Sequence, residues 1–178
     1  MRIIAGERKG HTIFAPRGRD TRPTSDRVRE NVFNIVAPWV EDARVLDVYA
    51  GSGAMGLEAL SRGAAAVLFV ESDADAVRAI ERNLDKLRLT GARVVRADAS
   101  TGLAQEVTAG RKYDLVLVDP PYAMTDYDTL ARYLPRVLGD DGLLVLETAA
   151  RTEPEIAGLA VRTSRKYGST RITVFEHE

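Results

Sequence analysis

The chain has 178 residues, and its 25 basic and 26 acidic residues leave a formal net charge of −1. It contains no cysteine and only two histidines, His11 and His177, near opposite ends, which excludes disulfides, a thiol nucleophile and any recognisable metal-ligand pattern. No apolar stretch reaches the ~18 residues that a membrane-spanning helix needs, and no signal-like apolar run follows Met1, so we expect a soluble, cytoplasmic protein without a metal.

The basic residues are concentrated at the N-terminal end. Residues 1–36 carry eight Lys and Arg against four Asp and Glu, whereas residues 37–178 carry a net charge of −5. Arg2–Ala5 and His11–Ala15 flank a charged, glycine-containing turn and predict a β-hairpin. An irregular basic segment follows, and a helix is predicted to begin near Thr24 or Ser25. We therefore predict a hairpin and basic arm over residues 1–22, suited to a polyanion, and a main domain over residues 23–178.

From residue 44 to residue 148 the chain alternates strand-like and helix-like segments. The predicted strands are Val45–Tyr49, Ala66–Val70, Arg93–Ala97, Leu115–Val118 and Leu143–Glu147. The predicted helices are Gly53–Arg62, Asp73–Arg88 and Tyr127–Leu138. This alternation predicts an α/β fold with a parallel sheet that helices cover on both faces.

The C-terminal tail breaks this alternation. Val161–Tyr167 and Arg171–Glu176 are strand-like, and only three residues separate them. So short a link cannot make a parallel crossover, so the two segments should form an antiparallel hairpin. The sequence thus predicts a mostly parallel, seven-stranded sheet that ends in an antiparallel pair.

A glycine-rich loop connects the first strand to the first helix of the alternating region. Gly51-Ser52-Gly53-Ala54-Met55-Gly56 matches the pattern G-x-G-x-x-G, and Glu71 lies twenty residues after Gly51, at the end of the second strand. Glycines allow a tight turn and close approach to a ligand, and an acid at that distance can bind ribose hydroxyls. The loop therefore predicts a cofactor that contains a nucleoside.

Two further carboxylates, Asp47 before the loop and Asp98 after the third strand, belong to the same predicted edge. A carboxylate at Asp47 would repel a pyrophosphate but suits the sulfonium and ammonium groups of S-adenosylmethionine. Asp98 could accept a hydrogen bond from the adenine amine.

A second motif, Asp119-Pro120-Pro121-Tyr122, follows the buried fourth strand. The Asp119 carboxylate can accept hydrogen bonds from an exocyclic amine, and the face of Tyr122 can stack on a base. The two prolines fix φ and remove two backbone donors, so this end of the site presents carbonyl acceptors. The motif predicts a pocket for a flat ring that carries an amine.

With these motifs in view, the chain resembles the class I S-adenosylmethionine-dependent methyltransferases, which implies a Rossmann-like fold. Residues 45–53 are similar to the first motif of that superfamily, with Tyr49 where phenylalanine is usual, and residues 119–122 are similar to the fourth motif of enzymes that methylate exocyclic amines. The blocks at residues 2–6, 21–30 and 33–34 resemble the RsmD family of bacterial 16S rRNA guanine-N2 methyltransferases.

This resemblance implies roles for the residues that carry it. The implied catalytic residues are Asp119, Pro120, Pro121 and Tyr122, and the implied cofactor-binding residues are Asp47, Tyr49, Gly51, Ser52, Gly53, Glu71 and Asp98. The basic residues expected to contact rRNA phosphates are Arg2, Arg8, Lys9, Arg17, Arg19 and Arg22. The implied partner is 16S rRNA, in the small subunit or an assembly intermediate, and a monomer would suffice.

Two alternative functions stay open on the sequence. An adenine-amine methyltransferase acting on nucleic acid would use the same Asp119 motif, although such enzymes usually carry additional target-recognition sequence. A dinucleotide-dependent oxidoreductase would use the same glycine loop, although Asp47 and the absence of a proton-relay constellation argue against it.

Overall fold

A computed structural model describes residues 1–16, 25–124 and 127–178. Its centre is a seven-stranded sheet in the order β3-β2-β1-β4-β5-β7-β6. The strands are β1 Arg44–Val48, β2 Ala66–Glu71, β3 Ala92–Arg96, β4 Tyr113–Val118, β5 Leu138–Ala149, β6 Leu159–Tyr167 and β7 Thr170–His177. The helices are α1 Asp26–Val36, a 3-10 turn Ala37–Trp39, α2 Ala54–Ser61, α3 Ala74–Leu87, α4 Ala99–Thr108 and α5 Asp128–Val137.

The register of the sheet brings the ends of several strands to one edge. Strand β1 runs parallel to both β2 and β4, with Val48 opposite Val70 on one side and Val118 on the other. Strand β7 is antiparallel to both β5 and β6. The predicted mostly parallel sheet with a C-terminal antiparallel pair is confirmed, and the carboxyl ends of β1, β2 and β4 lie side by side.

Helices cover both faces of the sheet, as the alternation predicts. On one face, α1, α2 and α3 pack against alternate strand residues, and Phe33 and Phe69 are fully buried there. On the other face, α4 and α5 bury Leu103 and Leu134 against the remaining strand residues. Because both faces are covered, the central strands are apolar runs rather than alternating ones. Among the described residues, no helix combines the length and the apolarity needed to cross a membrane.

Two elements differ from the sequence prediction. Helix α4 was absent from the predicted elements, and β5 begins at Leu138, five residues before its predicted start at Leu143. Asp98 caps α4 by accepting the backbone N–H of Thr101 at 2.8 Å. The helix buries Leu103 on the sheet, so packing stabilises a segment whose sequence is a weak helix former.

The N-terminal hairpin is present in a reduced form. Its two segments make a single β-bridge between Arg2 and Thr12. The last two residues of the first segment, Ile4 and Ala5, donate their N–H groups to the Glu58 carboxylate of α2 at 2.8 and 3.0 Å. These donors are therefore not available to a second strand. The predicted boundary near residue 22 and the predicted start of α1 at Thr24 fall outside the described residues, and Ser25 caps α1.

Candidate active site

The loop after β1 turns sharply into α2. Tyr49, Gly51 and Gly53 have positive φ values of 59°, 58° and 82°, which glycine tolerates and tyrosine rarely adopts. The N–H of Gly53 donates to the carbonyl of Ala50 at 2.8 Å, and α2 begins at the next residue. A Cβ atom built on Gly51 would meet no atom within 4 Å. This side of the loop therefore opens onto space that a ligand can enter.

Asp47 lies beneath this loop rather than on its surface. Its side chain is 3 % exposed, and its Oδ2 accepts the N–H of Gly56 in the first turn of α2 at 2.9 Å. The pKa of Asp47 is raised to about 8, chiefly by burial; the hydrogen bond from Gly56 opposes the rise, and the negative charge of Glu71 contributes to it. Asp47 is thus mostly neutral at pH 7, so the structure supports a role in holding the loop, and direct cofactor contact stays a prediction.

Glu71 also binds the loop. Its Oε2 accepts the N–H of Gly51 at 3.1 Å, and its Oε1 accepts the N–H of Asp73 at 3.2 Å. The residue is 7 % exposed. Each carboxylate oxygen has two lone pairs, so each Glu71 oxygen can accept a further hydrogen bond.

Asp98 is exposed at the end of β3, where it caps α4. Hydrogen bonds from the backbone and side chain of Thr101 lower its pKa, so Asp98 is a charged acceptor at neutral pH. Tyr49 is near this charge. Burial raises the pKa of the Tyr49 hydroxyl, and the negative charge of Asp98 contributes to the rise. The predicted series at the ends of β1, β2 and β3 is therefore brought to one edge, with each carboxylate in a different environment.

The Asp119 motif leaves β4 directly beside the loop. The N–H of Asp119 donates to the carbonyl of Val48, the last residue of β1, at 3.4 Å. Asp119 is half-buried and Pro120 buried, whereas Pro121 and Tyr122 are exposed. The hydroxyl of Tyr122 hydrogen-bonds to the hydroxyl of Thr170 at 2.8 Å, while 45 % of the tyrosine stays exposed. The ring is therefore held by its far end and free to offer a face.

A narrow cleft joins the two motifs. Its lining is mostly apolar and includes the three acidic residues Asp47, Asp119 and Glu147, together with Val32 of α1. Glu147 is not among the predicted site residues, although it ends the fifth predicted strand. The same rule that selected the acids after the other strands would have found it. Among the described residues, no group of three or more Asp, Glu, His or Cys side chains is arranged to hold a metal ion.

The basic residues predicted to bind RNA are placed differently from one another. Arg2 is largely exposed and lies 3.8 Å from Asp26, whereas Arg8 donates through its Nε to the carbonyl of Leu87 at the end of α3. Lys9 is exposed in the hairpin turn. The other three, Arg17, Arg19 and Arg22, lie outside the described residues.

Together, the strand order, the glycine loop after β1 and the Asp119 motif after β4 are those of the class I methyltransferase fold. A family model described as "Conserved hypothetical protein 95" matches residues 1–176. The chain belongs to this family.

Proteins of known name and structure agree with this assignment. The chain is 40% identical over 156 residues to "Ribosomal RNA small subunit methyltransferase D" of Escherichia coli, covering 88% of this chain and 75% of the relative. It is 36% identical to "Putative rRNA methyltransferase YlbH" of Bacillus subtilis, over 99% of this chain and 98% of the relative. A solved Escherichia coli structure, "Putative methyltransferase yhhF", superposes with a TM-score of 0.87 at 35% identity, covering 100% of this chain and 98% of that one.

Proposed function

We propose that the protein transfers a methyl group from S-adenosylmethionine to the exocyclic 2-amino group of one guanine in the rRNA of the small ribosomal subunit. The observation that carries the proposal is the adjacency of Asp119 to the end of β1, which brings an amine-accepting carboxylate beside the glycine loop. The names of the relatives support rRNA of the small subunit as the substrate class. The choice of guanine rests on the family resemblance of the N-terminal blocks.

The residues at the sheet edge fit the cofactor. The loop is open at Gly51, and Glu71 and the charged Asp98 place carboxylates where ribose hydroxyls and an adenine amine can be bound. Tyr49 and the Ser52–Gly53 turn complete the expected contact surface. When bound, S-adenosylmethionine supplies an electrophilic methyl group on its sulfonium. The protein then mainly has to position the amine for in-line attack.

Asp119 and Pro120 do this positioning. The guanine amine is a weak nucleophile because its lone pair is delocalised into the ring. The Asp119 carboxylate and the Pro120 carbonyl accept the two amine hydrogens, which directs the lone pair away from them and offsets positive charge as it develops. Pro121 fixes the chain so that Tyr122 presents its ring.

Tyr122 stacks on the target base. Its exposed face is available because the hydroxyl is already bound to Thr170. A base inside folded RNA must leave its stack to reach this face, as for other enzymes that act on bases. Phosphates of the same RNA are bound by the basic arm, with Arg2 and Lys9 exposed for that contact.

The two alternative functions fare differently. In the dinucleotide-binding fold the strand order is 3-2-1-4-5-6. Here an antiparallel β7 lies between β5 and β6, which argues against an oxidoreductase. An adenine amine could occupy the same pocket, but no feature of the described residues favours adenine over guanine.

Methyl mapping tests the proposal directly. The protein is incubated with methyl-labelled S-adenosylmethionine and either 16S rRNA or small subunits that lack the modification, and the labelled nucleotide is identified after nuclease digestion. We expect a single N2-methylguanine. Label on an adenine, or on neither substrate, would contradict the proposal.

Replacing Asp119 tests the assigned mechanism. In Asp119→Ala, kcat should fall about 100-fold, the cost typical of losing one preorganised group that stabilises a transition state. The affinity for S-adenosylmethionine, measured by calorimetry, should stay within about twofold, because Glu71 and Asp98 are untouched. The matched control is Asp140→Ala, which removes an exposed carboxylate at the start of β5. Near-normal turnover in Asp119→Ala would refute the role given to Asp119.

A further inference from the structure

An exposed aromatic ring stands beside the cofactor loop. Among the described residues, three large hydrophobic side chains are exposed: Tyr122 at the proposed base site, Val161 on β6, and Phe14 in the N-terminal arm, at 36 %. The guanidinium carbon of Arg82 lies 4.1 Å from the centroid of the Phe14 ring, and the Nζ of Lys86 lies 5.0 Å from it. We call Phe14, Arg82 and Lys86 the Phe14 platform.

The backbone of Phe14 is fixed in place by a fully buried amide. Asn83 of α3 accepts the N–H of Phe14 at 2.6 Å and donates to its carbonyl at 3.0 Å. The same amide group donates to the carbonyl of Ser52 in the glycine loop at 3.1 Å. One side chain thus links the platform to the cofactor loop. A platform held in this way loses little further freedom on binding, which favours affinity.

Two cations lie against the ring, and others are nearby in the sequence of α3 and in the hairpin turn. Arg82 and Lys86 occupy successive turns of α3 on the side that faces the arm, and Arg88 follows the helix, exposed. The hairpin turn adds Arg8, whose side chain binds the carbonyls of Leu87 and Arg88. Acids are present as well: Glu7 lies 3.7 Å from Arg8, and Glu81 and Asp85 are exposed on α3. The surface is mixed in charge, and two of its cations, Arg82 and Lys86, lie against the ring.

Attachment of the arm does not explain the exposure of the ring. The arm is already held by Asn83, by the bonds of Ile4 and Ala5 to Glu58, and by the burial of Ile3 and Ile13 in the core. A ring that served only to anchor the arm would gain more from burial. An exposed ring flanked by arginine and lysine is instead typical of surfaces that stack unpaired bases and bind the adjacent phosphates.

We propose that the Phe14 platform binds an unpaired nucleotide of the rRNA substrate, near the target guanine. The base stacks on the Phe14 ring, and the Arg82 guanidinium binds a neighbouring phosphate. Lys86, whose Nζ also donates to the carbonyl and the hydroxyl of Thr12 at 2.7 Å, adds positive charge beside it. The inference rests on the proposed function and adds α3 to the RNA-binding surface, which the sequence analysis limited to the arm.

The test separates stacking from charge. Phe14→Leu keeps an apolar side chain but removes the aromatic face, whereas Arg82→Gln removes one charge. The matched controls are Val161→Ala, which alters an exposed apolar residue on β6, and Arg132→Gln, which removes an exposed arginine on α5 across the sheet. Binding to unmodified 16S rRNA and to small subunits is measured by filter retention over a range of salt concentrations. The affinity for S-adenosylmethionine and the melting temperature are measured alongside.

In Phe14→Leu, we expect affinity for the RNA to fall roughly tenfold with an unchanged salt slope, because stacking is lost and no phosphate contact is. In Arg82→Gln, the slope of log K against log salt should fall by about 1. Both controls should match the wild type, and cofactor affinity should not change.

Three outcomes would overturn the inference. If the wild type methylates its substrate and both variants bind the RNA with an affinity within twofold of the wild-type value, the Phe14 platform is not part of the RNA-binding surface. A parallel loss of melting temperature and cofactor affinity would assign Phe14 to anchoring of the arm. A loss of binding to subunits but not to naked rRNA would point to a ribosomal protein instead. If the wild type neither binds nor methylates the RNA, the proposed function itself fails.

Discussion

At the scale of single residues, the hydrogen bond between Tyr122 and Thr170 fixes one end of the ring that we assign to base stacking. The two hydroxyls are 2.8 Å apart, and Thr170 begins β7, the antiparallel strand beside β5. The C-terminal hairpin thus supports a residue of the motif that follows β4. This gives the antiparallel strand a part in the site, beyond completing the sheet.

Substitutions at Tyr122 should distinguish its ring from its hydroxyl. Tyr122→Ala should raise KM for the RNA roughly tenfold or more, because base stacking on an aromatic side chain contributes about 1–3 kcal/mol. Tyr122→Phe should cost no more than a few-fold, because the face is kept and only one neutral hydrogen bond is lost. Steady-state kinetics on the RNA substrate provide the measurement. Thr170→Val is the matched control and should reproduce Tyr122→Phe; equal effects of Tyr122→Ala and Tyr122→Phe would argue against stacking.

At the scale of secondary-structure elements, the start of α2 depends on a buried acid. Asp47 accepts the N–H of Gly56 under the glycine loop, and a Cβ on Gly56 would lie only 2.3 Å from the Phe69 ring. The third glycine of the loop therefore lets α2 lie close against β2, and Asp47 of β1 is buried beneath the first turn of α2. Enclosure raises the pKa of Asp47, and Glu71 adds to the rise.

This enclosure predicts a specific dependence of stability on pH. Asp47 has a folded-state pKa of about 8 against an ordinary value of 3.8, so the folded state binds the proton more tightly than the unfolded chain. Between these two values stability should fall as pH rises, by at most about 1.4 kcal/mol per pH unit. Asp47→Asn keeps an oxygen acceptor for Gly56 and cannot ionise, so the difference in free energy of unfolding between variant and wild type should grow in favour of the variant from pH 5 to pH 8.

Urea denaturation at several pH values measures this difference. The other acids that face Asp47, which are Glu71, Asp119 and Glu147, are present in both proteins, so their contributions largely cancel. Glu155→Asn, at an exposed position, is the control and should leave the pH profile unchanged. A constant difference between Asp47→Asn and the wild type across this range would contradict the assignment.

The elements also show where sequence information was sufficient. Strand-like apolar segments between turn residues predict all seven strands of the sheet. The central strands are the clearest, because strands buried on both faces are nearly continuous apolar runs. The sequence did not predict α4, whose residues Ala99–Thr108 include Ser100, Thr101 and Gly102 and lack a strong apolar stripe. Gly102 is needed there because a Cβ would lie 2.6 Å from Val70. Helix α4 is therefore stabilised by its packing on the sheet, and helix propensity alone does not predict it.

The same limit applies to the site. The sequence predicted that the motifs after the strands lie together, because the carboxyl ends of parallel strands share one edge of the sheet. The sequence did not predict the burial of Asp47 or the contact of Asn83 with both Phe14 and Ser52, because each depends on how a helix packs on the sheet. A lone asparagine within a helix carries no sequence signal for such a role.

At the scale of the whole molecule, the N-terminal arm and the sheet domain share a core. Ile3 and Ile13 are buried in the same cluster as Phe33 and Phe69. A fully buried carboxylate, Glu58 of α2, connects the parts. Its partners are the N–H groups of Ile4 and Ala5 and the side chains of Arg29 and Arg62. The arm is therefore positioned by the helix that follows the glycine loop, which fixes its orientation relative to the site.

Removing the charge of Glu58 should lower the free energy of unfolding and, at the same time, weaken the attachment of the N-terminal arm. Arg29 is also fully buried, and in Glu58→Gln it would lose a charged partner at 3.4 Å and keep only Asp26, at 2.9 Å, as an acid within ion-pair distance among the described residues. The amide would also turn a donor toward the N–H groups of Ile4 and Ala5. Breaking one side of a buried ion pair costs about 3–5 kcal/mol, and urea denaturation should show a loss of that order.

Hydrogen exchange locates the effect. The amides of Ile4 and Ala5 should lose protection more than those of β4, because their acceptor is weakened while the sheet ladder is intact. Glu155→Gln, which changes an exposed glutamate, should alter neither quantity. If the free energy of unfolding of Glu58→Gln lies within about 0.5 kcal/mol of the wild-type value, the range ordinary for surface substitutions, the arm must be held by its other contacts, chiefly those with Asn83 and through the buried isoleucines. RNA binding would then be expected to survive loss of the Glu58 charge and to fail in Asn83→Leu.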